Sequence, residues 1–393
     1  MKNVVLLGAS RTPVGSFLGK LSSLPASALG AAAIRGALAQ AAVSADRIEA
    51  VVLGNVLQAG QGQAPARQAS LAAGIPSSVP CVTVHKVCGS GMRAAMDVGN
   101  AIIAGEYDLA VAGGMESMSN APYLLDRART GYRMGNGVLV DSMIKDGLWD
   151  PYKDVHMGNC AEMCVAKYSF SREEQDAFSL RSYQRAQDAS KRGLFADEIV
   201  SVEVPQKKGP PAVVDTDEEP FAAPLDKMAG LKPAFQKEGG TVTAGNSSKI
   251  NDGAAALVIA SAEKARELGA KPLARIVDWC GVAQDPEWFT TAPIGAIQKL
   301  LRRTGLKVSD IDLFEINEAF AAVAMAAIQE LSLDPAKVNV RGGAVALGHP
   351  IGASGARLMT TLLHALRREG KKRGIAAICI GGGEATAVLL EVL

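Results

Sequence analysis

Val79-Pro-Cys-Val-Thr-Val-His-Lys-Val-Cys-Gly-Ser-Gly-Met92 passes from β-branched residues into a glycine-bracketed turn and on into an alanine-rich run. Residues 79–84 read as a buried strand, Cys88 falls in the turn, and 91–104 read as a helix closed by Gly105. Residues 109–112 form the next strand, ending in Gly113-Gly-Met-Glu-Ser117. Upstream, strands at 4–8 and 48–53 alternate with helices at 26–42 and 64–73, the second closed by Gly74. This alternation indicates βαβ units and a largely parallel sheet, so the fold class is α/β.

The same order recurs in the second half. Ser309-Asp-Ile-Asp-Leu-Phe-Glu-Ile-Asn317 resembles Asp46-Arg-Ile-Glu-Ala-Val-Val-Leu-Gly54. A helix at 355–366 follows a glycine turn as 91–104 does. Residues 375–383 mirror 109–114 with the paired glycines kept, and 254–260 resemble 386–390 as a closing strand. Two halves related by a pseudo-twofold bring their corresponding turns to one shared interface. Between them, residues 118–249 lose the periodicity to charges, tyrosines and prolines. One amphipathic helix at 171–192 stands out there, with Ser171 and Glu174 as a capping box. The stretch reads as an insertion over the core that either covers a ligand or is a surface excursion.

A chain of 393 residues exceeds what one hydrophobic core fills, so two domains or several stacked layers are expected. A net charge of +1 gives no general field for nucleic acid or an anionic membrane, so a phosphorylated ligand needs a local patch. No apolar run is long enough to span a membrane. The opening apolar run is too short for a signal peptide and reads as a first strand. Six cysteines (81, 88, 160, 164, 280 and 379) show no CxxC spacing and accompany only four histidines. Neither a zinc site nor a disulfide framework is expected; reduced thiols in a cytoplasm are.

Three glycine-rich turns carry the reactive side chains. Cys88 sits between a strand and a helix start, where unpaired N–H groups and the helix dipole favour thiolate and hence acyl transfer. The alternative is a buried structural thiol. His349 lies in Arg341-Gly-Gly-Ala-Val-Ala-Leu-Gly-His-Pro-Ile-Gly-Ala-Ser-Gly355, where its imidazole suits a base or an oxyanion donor, or a structural role. Cys379, before Gly381-Gly-Gly383, is placed to move a proton, with the glycine N–H groups near a developing oxyanion. Asn317 opens an alanine-rich helix, as N-cap or as holder of a water or enolate oxygen. The loops lack G-x-G-x-x-G and a spaced acidic partner, which speaks against a nicotinamide dinucleotide.

Taken in order, these motifs resemble those of the thiolase family, most closely its short-chain, acetyl-CoA-using members. The likeness spans nearly the whole chain. It runs through Ala9-Ser-Arg-Thr-Pro-Val-Gly-Ser-Phe17, Val87-Cys-Gly-Ser-Gly91, Gly113-Gly-Met-Glu-Ser-Met-Ser119, Asn317-Glu-Ala-Phe-Ala321, residues 342–355 and Cys379-Ile-Gly-Gly-Gly383. The resemblance implies a thiolase fold: two βαβαβαββ halves forming a five-layered αβαβα core with an inserted loop domain. The first half would take 1–118 and 249–270, the loop domain over the coenzyme A site 119–248, and the second half 271–393.

It further implies a reversible Claisen condensation of two acetyl-CoA to acetoacetyl-CoA and CoA. Cys88 would carry the acyl group, His349 would activate it, and Cys379 would deprotonate the second acetyl-CoA. One oxyanion site would use His349 with a water on Asn317, the other the backbone N–H groups of Cys88 and Gly381. His156-Met157-Gly158 matches acetyl-CoA enzymes, with Met157 closing the acyl pocket. Leu148, Phe235, Ala244, Ser248, Ala319 and Phe320 would line the pantetheine tunnel. Coenzyme A thioesters are then substrates, no metal or cofactor is needed, and a homotetramer is expected. Tyr183 resembles a position used by potassium-activated members, which leaves room for a potassium ion.

Several residues depart from the family pattern. Pro220 stands where many relatives have an arginine near the nucleotide, leaving Lys227 or Lys232 as phosphate candidates. Phe289 replaces a common Met beside the acyl pocket. Glu384 follows the last glycine triplet, and His85 replaces an Asn. Alternatives within the resemblance are a broader 3-ketoacyl-CoA thiolase and a non-catalytic acyl-CoA- or lipid-binding homologue. A carrier-protein ketosynthase would pair one cysteine with two histidines or with histidine and asparagine, unlike Cys379 here.

Overall fold

The computed structural model describes residues 3–393. In the first half, β1 (Val4–Arg11), α1 (Ala26–Ala41), β2 (Ala50–Gly54), α2 (Pro65–Ala72), β3 (Cys81–Val84), α3 (Ser90–Ala104) and β4 (Leu109–Ser117) follow one another. An excursion with two main helices, α4 (Met157–Tyr168) and α5 (Arg172–Lys191), precedes β5 (Asn251–Ser261). The second half runs through β6 (Ala274–Ala283), α6 (Ala292–Thr304), β7 (Leu313–Ile316), α7 (Ala321–Glu330), α8 (Ile351–Arg368), β8 (Arg373–Ile380) and β9 (Glu384–Val392).

The strands form one ten-stranded sheet in the order β7-β8-β9-β6-β1-β5-β4-β2-β3, with Gly15–Ser16 added beside β5. β2 is parallel to β3 and β4, and β7 is parallel to β8, while β4–β5 and β8–β9 are antiparallel. The internal echo is therefore real in its pairing. The second half's equivalent of β3 shrinks to a single bridge between Phe314 and Val338. The halves join where β1 meets β6 antiparallel, Val4 opposite Ile276 and Leu6 opposite Ala274.

Alternation along each strand builds the layers. On β1, Val5 and Leu7 pack with α1, while Val4 and Leu6 turn to the opposite face with residues of α3 and α8. On β8, Ala376 and Ile378 join that same central cluster, and Ile375 and Ala377 face α6 and α7. Helices thus lie outside both halves of the sheet and between them, in the order αβαβα. The central helix α8 is buried at every residue from Ile351 to Leu366. Its polar groups therefore need partners: Arg357 meets Glu315 at 2.7 Å, Thr361 meets Glu198 at 3.1 Å, and His364 Nε2 meets the Ala9 carbonyl at 2.8 Å.

Three local expectations change. β3 is the outer edge of the sheet and is not buried, with Val82 55% exposed. β4 runs straight through Gly113-Gly114 to Ser117 and does not end at the glycines. A Cβ at Gly113 would strike the Ala255 carbonyl, and one at Gly114 the Gly352 carbonyl, so these glycines permit close approach of β5 and α8. Asn317 does not cap a helix: α7 begins at Ala321 with Phe320 as its N-cap. The capping box at Ser171 and Glu174 is present.

The excursion is tied down by Arg11 at the end of β1. Its Nε meets Glu198 at 2.6 Å and its guanidinium fork meets Asp217 at 2.7 and 2.9 Å, all buried. A paired, bidentate guanidinium is the form in which a buried charge is tolerated.

Candidate active site

The turn after β3 is held by its own hydrogen bonds. Gly89 N–H donates to Lys86 O, Ser90 N–H and Ser90 Oγ donate to Val87 O, and Lys86 N–H donates to Ser90 Oγ. This forces Val87 to φ +43°, a left-handed conformation that a β-branched residue adopts only under strain. The result places Cys88 just ahead of α3, half-buried, with its side chain on a cavity of about 290 Å³. His349 and Gly381 line the same cavity.

The electrostatics differ from the expectation of a resting thiolate. Burial pushes the Cys88 thiol up to about 11, although the Gly381 N–H donates to its sulfur. Desolvation outweighs the helix start here. His349 is held down at about 3, by burial first and the Arg357 charge second. Both groups are neutral near pH 7.

His349 is fixed at three points. Its backbone N–H donates to Asn251 Oδ1 at 2.9 Å, Nδ1 lies 2.6 Å from Ser354 Oγ, and Nε2 lies 3.4 Å from Asn317 Nδ2. Ser354 Oγ also reaches the Pro350 carbonyl at 2.8 Å. Its one proton has two acceptors, so the imidazole is free to carry its hydrogen on either ring nitrogen. Cys379 is fully buried at the end of β8. Its sulfur is in hydrogen-bonding reach of the Asn317 side chain, and burial together with Cys88 raises its pKa. The two thiols, the imidazole and the asparagine amide are thus gathered at one end of the cavity.

Leu148, His156, Met157, Phe235, Ser248, Phe289, Ala319 and Phe320 all line the cavity. His156 stacks on Phe235 with centroids 4.8 Å apart, and Phe320 meets Phe235 edge-on at 6.0 Å and Phe289 at 6.4 Å. His156 Nδ1 also accepts the Gly158 N–H at 3.0 Å as N-cap of α4, which points Met157 inward beside Cys379. Ala244 is exposed and outside this cavity's lining, and its carbonyl accepts from Lys249 Nζ. Lys227, Lys232 and His85 are exposed, whereas Pro220 is buried. Among the described residues no group of His, Cys, Asp and Glu could hold a metal ion, and no helix is long and apolar enough to cross a membrane.

Two family models cover almost the entire chain, the thiolase N-terminal domain over residues 4–263 and the thiolase C-terminal domain over 270–392. The chain belongs to the thiolase family. The thiolase is 52% identical to acetyl-CoA acetyltransferase 2 of Arabidopsis thaliana, over 100% of this chain and 98% of that one. It is 50% identical to the acetyl-CoA acetyltransferase of Cupriavidus necator, over 100% of both. A thiolase of Ascaris suum, solved in complex with coenzyme A, shares 47% identity and superposes with a TM-score of 0.95 over all of both chains.

Several residues of this thiolase shape the site without a local sequence signal for doing so. Glu116, within the quoted Gly-Gly-Met-Glu-Ser run, takes N–H groups from Val56, Leu57 and Gly352 and the amide of Asn55. It thereby pins the start of α8 beside His349. Ser354 was visible only as part of a glycine-rich stretch, and its role follows from standing one helical turn past Pro350. Lys249 gave no signal beyond being a lysine beside an apolar strand.

Proposed function

We propose that this thiolase is an acetyl-CoA acetyltransferase, joining two acetyl-CoA into acetoacetyl-CoA and CoA and, in reverse, cleaving acetoacetyl-CoA with CoA. The observation that carries the reading is a single cavity lined by Cys88, His349 and Gly381, with Cys379 and Asn317 directly behind it. The thioester activates its own acyl group, so the chemistry calls for no cofactor.

In the first half-reaction His349 Nε2 takes the Cys88 proton as the sulfur attacks the thioester carbonyl. Starting from two neutral groups, charge forms only in the transition state, where the N–H groups of Cys88 and Gly381 receive the carbonyl oxygen. Collapse expels the CoA thiolate, which takes the proton back, and leaves acetyl-Cys88. In the second, Cys379 in its thiolate form takes an α-proton from a second acetyl-CoA. The enolate oxygen is met by His349 Nε2–H and a water on Asn317, and the enolate carbon attacks acetyl-Cys88. The Cys88 sulfur leaves as thiolate and recovers the proton held by Cys379, which returns Cys379 to its thiolate form, and acetoacetyl-CoA departs. Ser354 supports both duties of the ring by accepting from or donating to Nδ1.

Met157, Phe289 and Phe320 close the acyl end, which supports short acyl groups over the broader 3-ketoacyl-CoA reading. The coenzyme A arm would run outward past Leu148, Phe235 and Ser248, beneath the 119–248 excursion. A homotetramer in a cytoplasm completes the reading. Its supports are the open β3 edge, the exposed Met134, Val138 and Leu139 on the excursion, and six free cysteines.

The test uses radiolabelled acetyl-CoA. Cys88→Ala should lose both protein-bound label and thiolysis, while Cys379→Ala should keep the label and lose condensation. Turnover retained in Cys88→Ala would overturn the mechanism.

A further inference from the structure

Lys249 is an unusual resident of a substrate cavity. Its ammonium donates to the carbonyls of Ala244 and Ser247, the latter at 3.0 Å, and lies 5.8 Å from the centre of the Tyr183 ring. The Glu219 carboxylate is close enough to favour the charge, while burial draws the lysine down to about 8. Two main-chain carbonyls, an aromatic face and a nearby carboxylate are together a receptor for a small cation.

The loop so held is a wall of the active site. Ser247 and Ser248 line the cavity, Ser248 N–H donates to Ala319 O at 2.9 Å, and Ala321 N–H donates to Asn246 O at 2.9 Å. The same region connects to the imidazole, because Asn251 donates to Glu219 at 3.1 Å and accepts from the His349 backbone.

A potassium ion beside Tyr183 does not fit this arrangement, since the carbonyls it would need already hold an ammonium and two cations in one cluster repel. We infer that Lys249 is a built-in cation: a positioning residue whose ammonium braces the 243–248 wall, so that this thiolase works without a free monovalent cation. Removing the side chain leaves the two carbonyls free beside the Tyr183 ring. Carbonyl oxygens and an aromatic face suit a bare monovalent ion.

The experiment compares wild type and Lys249→Ala in potassium, ammonium and choline chloride at fixed ionic strength, by thermal melting and by steady-state thiolysis. Wild type should show the same midpoint and the same kcat/KM in all three salts. In choline, Lys249→Ala should lose roughly ten- to hundredfold in kcat/KM, mainly through KM, as expected when hydrogen bonds from a charged donor are removed. Potassium or ammonium should restore most of it and raise the variant's midpoint; choline is too large to enter. A wild type that is faster or more stable in potassium than in choline would overturn the inference. So would a folded Lys249→Ala indifferent to the cation. Should that variant fail to fold, Lys249→Gln and the wild-type salt comparison decide the question. The inference rests on the acetyl-transfer reading only for its kinetic arm, because melting reads the cation without turnover.

Discussion

The Lys86 ammonium meets the Glu384 carboxylate at 2.5 Å, so the turn carrying Cys88 is clasped to the turn that follows Cys379. The pair spans the two halves and is partly open to solvent, with side chains 25% and 38% exposed. It accounts for the acidic residue after the last glycine triplet. As a partly screened bridge it adds little to global stability, and its use is in register between the turns.

Glu384→Gln should therefore melt close to wild type but lower kcat by a few-fold. Raising the ionic strength should bring wild type down towards the variant, since exposed charges are screened within about 10 Å at 0.1 M salt. Equal kcat for both proteins at low salt would refute the clasp.

Each Glu116 oxygen accepts two donors, Oε1 from Asn55 and Leu57 and Oε2 from Val56 and Gly352. A glutamine in either orientation points its NH₂ at two N–H groups. Glu116→Gln should cost about 2–4 kcal/mol of stability by leaving buried donors unpaired, read by chemical denaturation. An unchanged denaturation midpoint would contradict the network.

Ser354→Ala removes the partner of His349 Nδ1 while leaving the cavity wall in place. kcat should fall about ten- to hundredfold, as for loss of an orienting partner, with KM little changed. A rise in KM at constant kcat would mean that Ser354 serves binding and not the imidazole.

The thiol and imidazole values make opposite predictions from those of an ion pair. With Cys88 near 11, its alkylation by iodoacetamide should keep rising up to pH 10, without a plateau near 7. His349, near 3 in the folded protein against about 6.5 unfolded, leaves the unfolded chain binding its proton first as pH falls. Its contribution to stability is present above about 6.5 and is lost between there and 3. Denaturation of wild type and His349→Asn across that range should show the shallower slope in the variant.

Met157 and Phe289 line the cavity, and on the proposed reading Met157 closes its acyl end. Met157→Ala should raise kcat/KM for six-carbon over four-carbon 3-oxoacyl-CoA severalfold, since each added methylene buried is worth about 0.8 kcal/mol. Unchanged selectivity would move the chain-length stop elsewhere.

The three turns were legible because strand–glycine–helix punctuation is local chemistry, and the positions of Cys88, His349 and Cys379 follow from it. The short-range cap at Ser171 was legible for the same reason. What escaped was long-range. Residue 88 joins a helix start in sequence, but the charge state of its thiol is set by the walls folded around it, which no local pattern encodes. β3 looked buried from its valines, yet its place at the sheet edge depends on strand order. Gly113 and Gly114 read as a turn because the carbonyls that crowd them come from β5 and α8, more than a hundred residues away in sequence. Lys249 was silent since a buried ammonium and a solvated one look alike in a string of letters.

The antiparallel seam between β1 and β6 joins strands from the two halves of the polypeptide into one sheet. A fragment ending before Ala274 would carry the nucleophile but bare a raw flank of β1, ready to template against its neighbours. Split versions would become active only when the matching fragment is supplied to zip that flank shut, which suits this scaffold to reassembly as a reporter.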